Sequence, residues 1–260
     1  MTEITTPIMD GIDQDLLETT VSRRDALRKA GKHAAGFAIA SAPLALGLMA
    51  KNAFAQGSLP QQIKDVLNFA LTLEYLEDEF YKAGNAASGL IPGADQVVYQ
   101  QIGKHETAHV ALLKSVLGAD AVAKPTFDFT AGGAFADVFT NYATFSALSQ
   151  GFEDTGVRAY KGQAGNLISD NAILKTALQI HSVEARHASQ VRRMRGQKGW
   201  ITGSSTDVSA LASTYAGEGN TTQGGVNTAM FVSANAASEA FDEPLTKDAV
   251  LAIAGQFIVS

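Results

Sequence analysis

Two short stretches of this 260-residue chain hold residue types that can do chemistry together. In Lys104-His-Glu-Thr-Ala-His109 and in Ser182-Val-Glu-Ala-Arg-His187, a glutamate precedes a histidine by three positions: Glu106 with His109, and Glu184 with His187. On a helix this spacing sets a carboxylate and an imidazole on one face, a turn apart, where both can reach one metal ion. Given the glutamate and histidine content, chance would supply only about 0.2 such pairs. All four histidines beyond residue 55 fall inside these two windows or, for His181, directly before the second. A metal reading then needs partners at the same height, supplied by the elements that carry the pairs.

Composition narrows the chemistry. Apolar residues make up 46% and charged residues 18%, the balance of a core-rich globular chain and not of a disordered one. The formal net charge is −6 and no basic run follows the N-terminal segment, so nucleic acid is not an expected partner. The absence of cysteine excludes disulfides, iron–sulfur clusters and thiol nucleophiles. Any metal must be held by nitrogen and oxygen, a set that suits iron or manganese better than zinc.

Apolar spacing predicts four helices. The first, Leu59 to Ala83, repeats Ile63, Val66, Leu67, Ala70, Leu71, Leu73, Tyr75, Leu76 and Phe80 at helical intervals, with Glu74 in its middle. A breaker loop, Gly84 to Gly93, separates it from a second helix, about Asp95 to Leu117, which carries Glu106 and His109. Residues 118–134, with Pro125 and Gly132-Gly133, read as a long connection. A third helix, about Ala134 to Gln163, carries Glu153. A fourth, about Ser169 to Arg195, carries Glu184 and His187, with Arg192, Arg193 and Arg195 suiting its negative C-terminal end. Beyond Gly199 the chain turns irregular until Thr246 to Phe257, a short capped helix whose apolar residues suggest docking on the bundle.

The two halves of this body repeat each other. Tyr81 follows Glu74 by seven positions, and Tyr160 follows Glu153 by seven. Glu74 to Glu106 spans 32 positions and Glu153 to Glu184 spans 31. In the first half the chain runs out and returns over legs of about 14 and 18 Å, which brings Glu74 level with Glu106. The second half does the same for Glu153 and Glu184. Glu77 and Glu79 compete with Glu74 for the first-helix position, and the matched interval to tyrosine favours Glu74. The expected fold is all-α: a four-helix bundle of two helical hairpins joined by a long crossover, with six candidate ligands at one height.

The set Glu74, Glu106, His109, Glu153, Glu184 and His187 resembles the ligand pattern of the ferritin-like superfamily, as in bacterioferritin and rubrerythrin. Leu73-Glu-Tyr-Leu-Glu-Asp-Glu-Phe-Tyr81, Glu184-Ala-Arg-His187 and Phe241-Asp-Glu-Pro-Leu-Thr246 are similar to exported ferritin-like proteins related to desiccation-associated proteins. The resemblance implies a dinuclear centre of two iron ions, with manganese as the alternative. One metal would sit on Glu74, Glu106 and His109, the other on Glu153, Glu184 and His187, with Glu106 and Glu184 as bridges. Tyr81 and Tyr160 then read as buried residues whose hydroxyls bond the bridging carboxylates, and His105 and His181 as surface or supporting residues. The implied activity is oxidation of Fe²⁺ or reaction with O₂ or peroxide in metal or oxidative-stress handling, with no catalytic residue apart from the ligands. The alternative is a non-catalytic envelope or desiccation-stress protein with a structural or vestigial site.

Residues 1–55 read as a targeting segment. Ser22-Arg23-Arg24-Asp25-Ala26-Leu27-Arg28-Lys29 resembles a twin-arginine export motif, the apolar stretch Ala34 to Ala50 follows, and Ala53-Phe54-Ala55 offers a cleavage site. The expected organisation is therefore a signal peptide over 1–55, a bundle over 56–199 and an extension over 200–260. The expected location is periplasmic or otherwise exported. Expected partners are the twin-arginine machinery, metal ions, O₂ or peroxide, an external electron donor in place of the missing thiols, and further copies of the chain.

Overall fold

Proline opens both helices of the first hairpin. The residue before a proline is driven out of helical geometry, so a helix cannot extend backwards past it. In the computed structural model, which describes residues 59–259, α1 (Gln61–Ala86) follows Pro60 and α2 (Gly93–Leu117) follows Pro92. The second hairpin uses side-chain caps instead. Asn141 accepts from the Ala143 N–H ahead of α3 (Tyr142–Gln163), and Asp170 accepts from Ala172 and Ile173 ahead of α4 (Asn171–Met194). The signal-peptide reading of residues 1–55 lies outside the described residues. Among those described, no helix is long and apolar enough to cross a membrane.

Three of the four helices begin within two residues of their expected starts; α3 does not. Residues 134–141, expected to be its first two turns, belong to the crossover. Phe135 and Val138 mimic a helical interval because both are buried against the bundle, yet the chain there runs through turns. The Asn141 cap fixes where the helix starts. Upstream, the Asp128 carboxylate accepts from the Thr130 and Gly132 N–H groups, a local turn that competes with helix.

The crossover is tied to the end of the chain. β1 (Thr126–Phe127) pairs antiparallel with β4 (Ile258–Val259), and Asp128 N–H donates to the Phe257 carbonyl at 2.8 Å. The extension also contains a small ladder, β2 (Thr222–Gln223) with β3 (Val226–Asn227), and two short helices, α5 (Ala234–Glu239) and α6 (Lys247–Ala254). Thr246 caps α6, whose Val250 and Ile253 are buried.

The core forms two apolar clusters. One gathers the crossover and the extension around Phe80, which stacks on Phe145 with ring centroids 4.8 Å apart and meets Phe152 edge-on at 5.0 Å. The other, with Ile63, Leu71, Leu113, Ile173 and Ile180, fills the end where α1 begins. Between them, Glu74 on α1 and Glu184 on α4 mark a polar level.

The extension covers the outer face of α3, and every residue from Phe145 to Tyr160 is buried. Arg158, 1% exposed, donates to the carbonyls of Glu243, Ala216 and Thr214 and pairs with Glu218 at 2.8 Å. Leu245 N–H donates back to the Arg158 carbonyl at 3.1 Å. This approach requires a glycine. A Cβ at Gly162 would stand 1.9 Å from the Leu245 carbonyl oxygen, a collision with backbone. Gly162→Ala is therefore expected to unseat the extension. Stability should fall by about 1–3 kcal/mol, as for overpacked sites, and limited proteolysis should release the region beyond residue 200 while the four-helix circular dichroism persists.

Candidate metal centre

Each of the six residues singled out by spacing points into the polar level of the bundle. Glu74, Glu106, Glu153 and Glu184 are fully buried, and His109 and His187 nearly so. The His109 Nδ1 atom lies 2.9 Å from Glu106, 3.1 Å from Glu74 and 3.2 Å from Glu184. The His187 Nδ1 atom lies 2.9 Å from Glu106 and 3.1 Å from Glu153. Donor atoms fall into two groups, each within a 4.8 Å span: Glu74, Glu106, His109 and Glu184, and Glu106, Glu153, Glu184 and His187. Glu106 and Glu184 belong to both.

The donor set fits a pair of cations. Among the described residues, both oxygens of Glu184 and Oε1 of Glu106 are buried without a well-aligned hydrogen bond, although each carboxylate has an imidazole nitrogen within ion-pair distance. Unsatisfied buried carboxylate oxygens are costly, and divalent cations with oxygen-rich shells are what such oxygens bind.

A family model for the ferritin-like domain matches residues 62–197. The chain belongs to that family. No curated protein matches it.

In this ferritin-like bundle the tyrosines are crossed. Tyr81 on α1 donates to Glu153 on α3, and Tyr160 on α3 donates to Glu74 on α1. The expectation that they bond the bridging carboxylates is thus corrected: their partners are the two glutamates that belong to one group each. The reason is height. Seven positions are about two turns, so each tyrosine reaches across to the facing helix of the other hairpin and not to its own.

Glu77 and Glu79 separate cleanly. Glu79 turns outward to Lys124 at 2.7 Å and Lys82 at 3.4 Å. Glu77 is 3% exposed and enters the polar level without joining either group. Its place depends on Gly156, which stands three positions after Glu153, as Glu77 stands three after Glu74. A Cβ at Gly156 would lie 3.2 Å from Glu77 Oε1 and 3.2 Å from Glu184 Oε2. The spacing Glu74-x-x-Glu77 on one helical face, with glycine at the matched position, was the sequence signal for this fifth buried glutamate.

His105 supports His187. His105 Nδ1 meets His187 Nε2 at 2.8 Å, with ring centroids 5.1 Å apart and planes 11° apart, so the rings lie edge to edge in nearly one plane. When His187 keeps its Nδ1 lone pair for a ligand, its Nε2–H donates to His105, which fixes the tautomer and the ring direction. The other His105 nitrogen meets the exposed Gln101 amide at 2.8 Å. His181 is half-buried, its Nε2 has no hydrogen-bond partner among the described residues, and it joins neither group.

Protonation follows from this crowding. Burial alone works to lower both histidine pKa values, and the facing carboxylates override it. Glu74, Glu106 and Glu184 hold His109 far above the imidazole range, and Glu153 and Glu106 hold His187 up to about 11. Burial raises Glu184 and Glu77 well above the carboxylate range, with neighbouring carboxylates adding to it. Glu106 rises to about 7, burial winning over its two histidines. For Glu74 the order reverses: burial raises it, but His109 and Tyr160 more than compensate and the carboxyl titrates low.

A cation entering this level must displace those protons. Groups with raised pKa values keep their protons as pH falls, so protons compete better in acid and metal affinity rises with pH. Apparent affinity for Mn²⁺ or Fe²⁺ should increase steadily from about pH 5 to about pH 8. Calorimetry in two buffers of different ionisation enthalpy should record net proton release, and release of no proton would contradict the assignment.

Proposed function

We propose that this ferritin-like protein binds two iron ions, or manganese in their place, in the Glu/His cluster and uses them to oxidise Fe²⁺ or to react with O₂ or peroxide. The observation that carries the reading is the pair of overlapping four-residue groups that share Glu106 and Glu184. Two such ions, when bound, would supply the electron-transfer steps of that chemistry.

The residues have distinct parts. Glu74 with His109 and Glu153 with His187 would each hold one ion, and Glu106 and Glu184 would span both. Tyr160 and Tyr81 hold one oxygen of Glu74 and Glu153, which fixes the direction of the remaining lone pairs. Glu77, kept protonated by its surroundings, is a buried proton donor beside Glu184. The apolar clusters on either side keep bulk water out. Reducing equivalents would come from another molecule, since the chain has no cysteine. The leader supports export to the periplasm or beyond through the twin-arginine route, and an exported oxygen- or iron-handling protein suits metal or oxidative-stress defence.

A second reading has its own observation. With both imidazoles protonated, each Nδ1–H already faces two or three carboxylates, so the level is partly balanced without metal. On that reading the bundle is a non-catalytic envelope or desiccation-stress protein. Metal analysis separates the two. Protein produced with iron and manganese available should carry two ions per chain, and Glu106→Ala and Glu184→Ala should each reduce this below one. Unmetallated wild type, or variants with unchanged content, would leave only the second reading.

A further inference from the structure

The end of the bundle where α1 begins is not fully packed. A cavity of about 40 Å³ lies among all four helices, lined by Leu67 and Ala70 of α1, Leu113 of α2, Tyr160 of α3, and Ala177 and Ile180 of α4. This is roughly three times the space that one water needs, but a buried water also needs two to four polar partners. The walls are almost wholly apolar, and the Tyr160 hydroxyl is committed to Glu74. Such a void stays dry and takes up apolar atoms and small apolar molecules.

Its position gives it a use. Tyr160 forms part of the wall with its ring and reaches the metal-ligand cluster with its hydroxyl, so the void ends one side chain from Glu74. On the outer side, the lining residues Leu112, Val116 and Thr176 are half-buried, which marks the approach from solvent between α2 and α4.

We propose that this cavity is a binding site for a small apolar molecule of the size of O₂, held beside the Glu/His cluster. Peroxide and ions are excluded by the missing polar partners. The use of the site for oxygen chemistry rests on the function proposed above, whereas its occupancy does not.

O₂ is paramagnetic and speeds the relaxation of protons close to it, so methyl NMR under oxygen and then argon reads its occupancy directly. The full chain would be loaded with zinc, which is diamagnetic and does not react with O₂, or used as purified if it takes none. Methyls of Leu67, Leu113, Ala177 and Ile180 should relax several-fold faster under oxygen than the equally buried Ile102 and Leu148 of the other cluster. Ala177→Leu and the larger Ala177→Phe should remove the difference with zinc content unchanged. Equal relaxation in both sets, or a difference that survives both filling variants, overturns the proposal. Faster relaxation in a chain that binds no metal would uphold the gas site and remove the oxidase reading instead.

Discussion

Four glutamates buried at one level of a helical bundle set the terms for everything around them. A carboxylate removed from water costs several kcal/mol unless it is paired, and these four lie too close together for all to be charged without a counter-charge. The chain answers with two imidazoles, two tyrosine hydroxyls and retained protons. Divalent cations would answer the same demand more completely, because a single ion can satisfy oxygens of several carboxylates at once. Protons and metal thus compete for one set of lone pairs. The apolar clusters on either side make that competition sharp, since neither water nor a surface lysine can relieve the charge.

The same demand explains how α3 is treated. This helix carries Glu153 and Tyr160 toward the polar level and is covered on its outer face by residues far along the chain. Gly151 faces Leu211, Gly162 faces the Leu245 backbone, and Gly156 faces inward to Glu77 and Glu184. Glycine weakens a helix interior by about 1 kcal/mol relative to alanine, so three in 22 residues are a burden that close approach from all sides offsets. Arg158 and the buried Arg192–Asp154–Tyr215 contact then anchor the extension to α3 and α4. The outer layer acts on the site by holding still the helices that present the buried glutamates and histidines.

Much of this was legible in the chain. Heptad-like intervals to tyrosine and the near-equal hairpin lengths located both Glu74 and Glu153, because helical rise converts sequence distance to height almost without ambiguity. The start of α3 was not legible, because Phe135 and Val138 are buried at a helical interval by a loop. Periodicity records burial, and only the cap at Asn141 distinguishes the two causes. The tyrosine partners were misjudged because the reading followed each hairpin separately, while the hydroxyls reach between hairpins. Arg158 and Glu218 carried no signal at all, since an ion pair over 60 positions is fixed by the path of an irregular segment that has no period to read.

The crossed tyrosines give the bundle the logic of a dimer written in one chain. Rotate one hairpin onto the other and Glu74 with Tyr81 takes the place of Glu153 with Tyr160, each tyrosine serving the opposite carboxylate. Neither hairpin alone owns a complete pocket. Where the halves differ, the two sides become chemically unequal: Glu77 is answered by Gly156, and His105, just before Glu106, is answered by Val183 before Glu184. Among the described residues, His187 is therefore braced by a second imidazole while His109 is not, and Glu77 adds an extra acid whose nearest charged neighbours are Glu184 and Glu153. Two ions of one kind, if held here, would meet unlike surroundings.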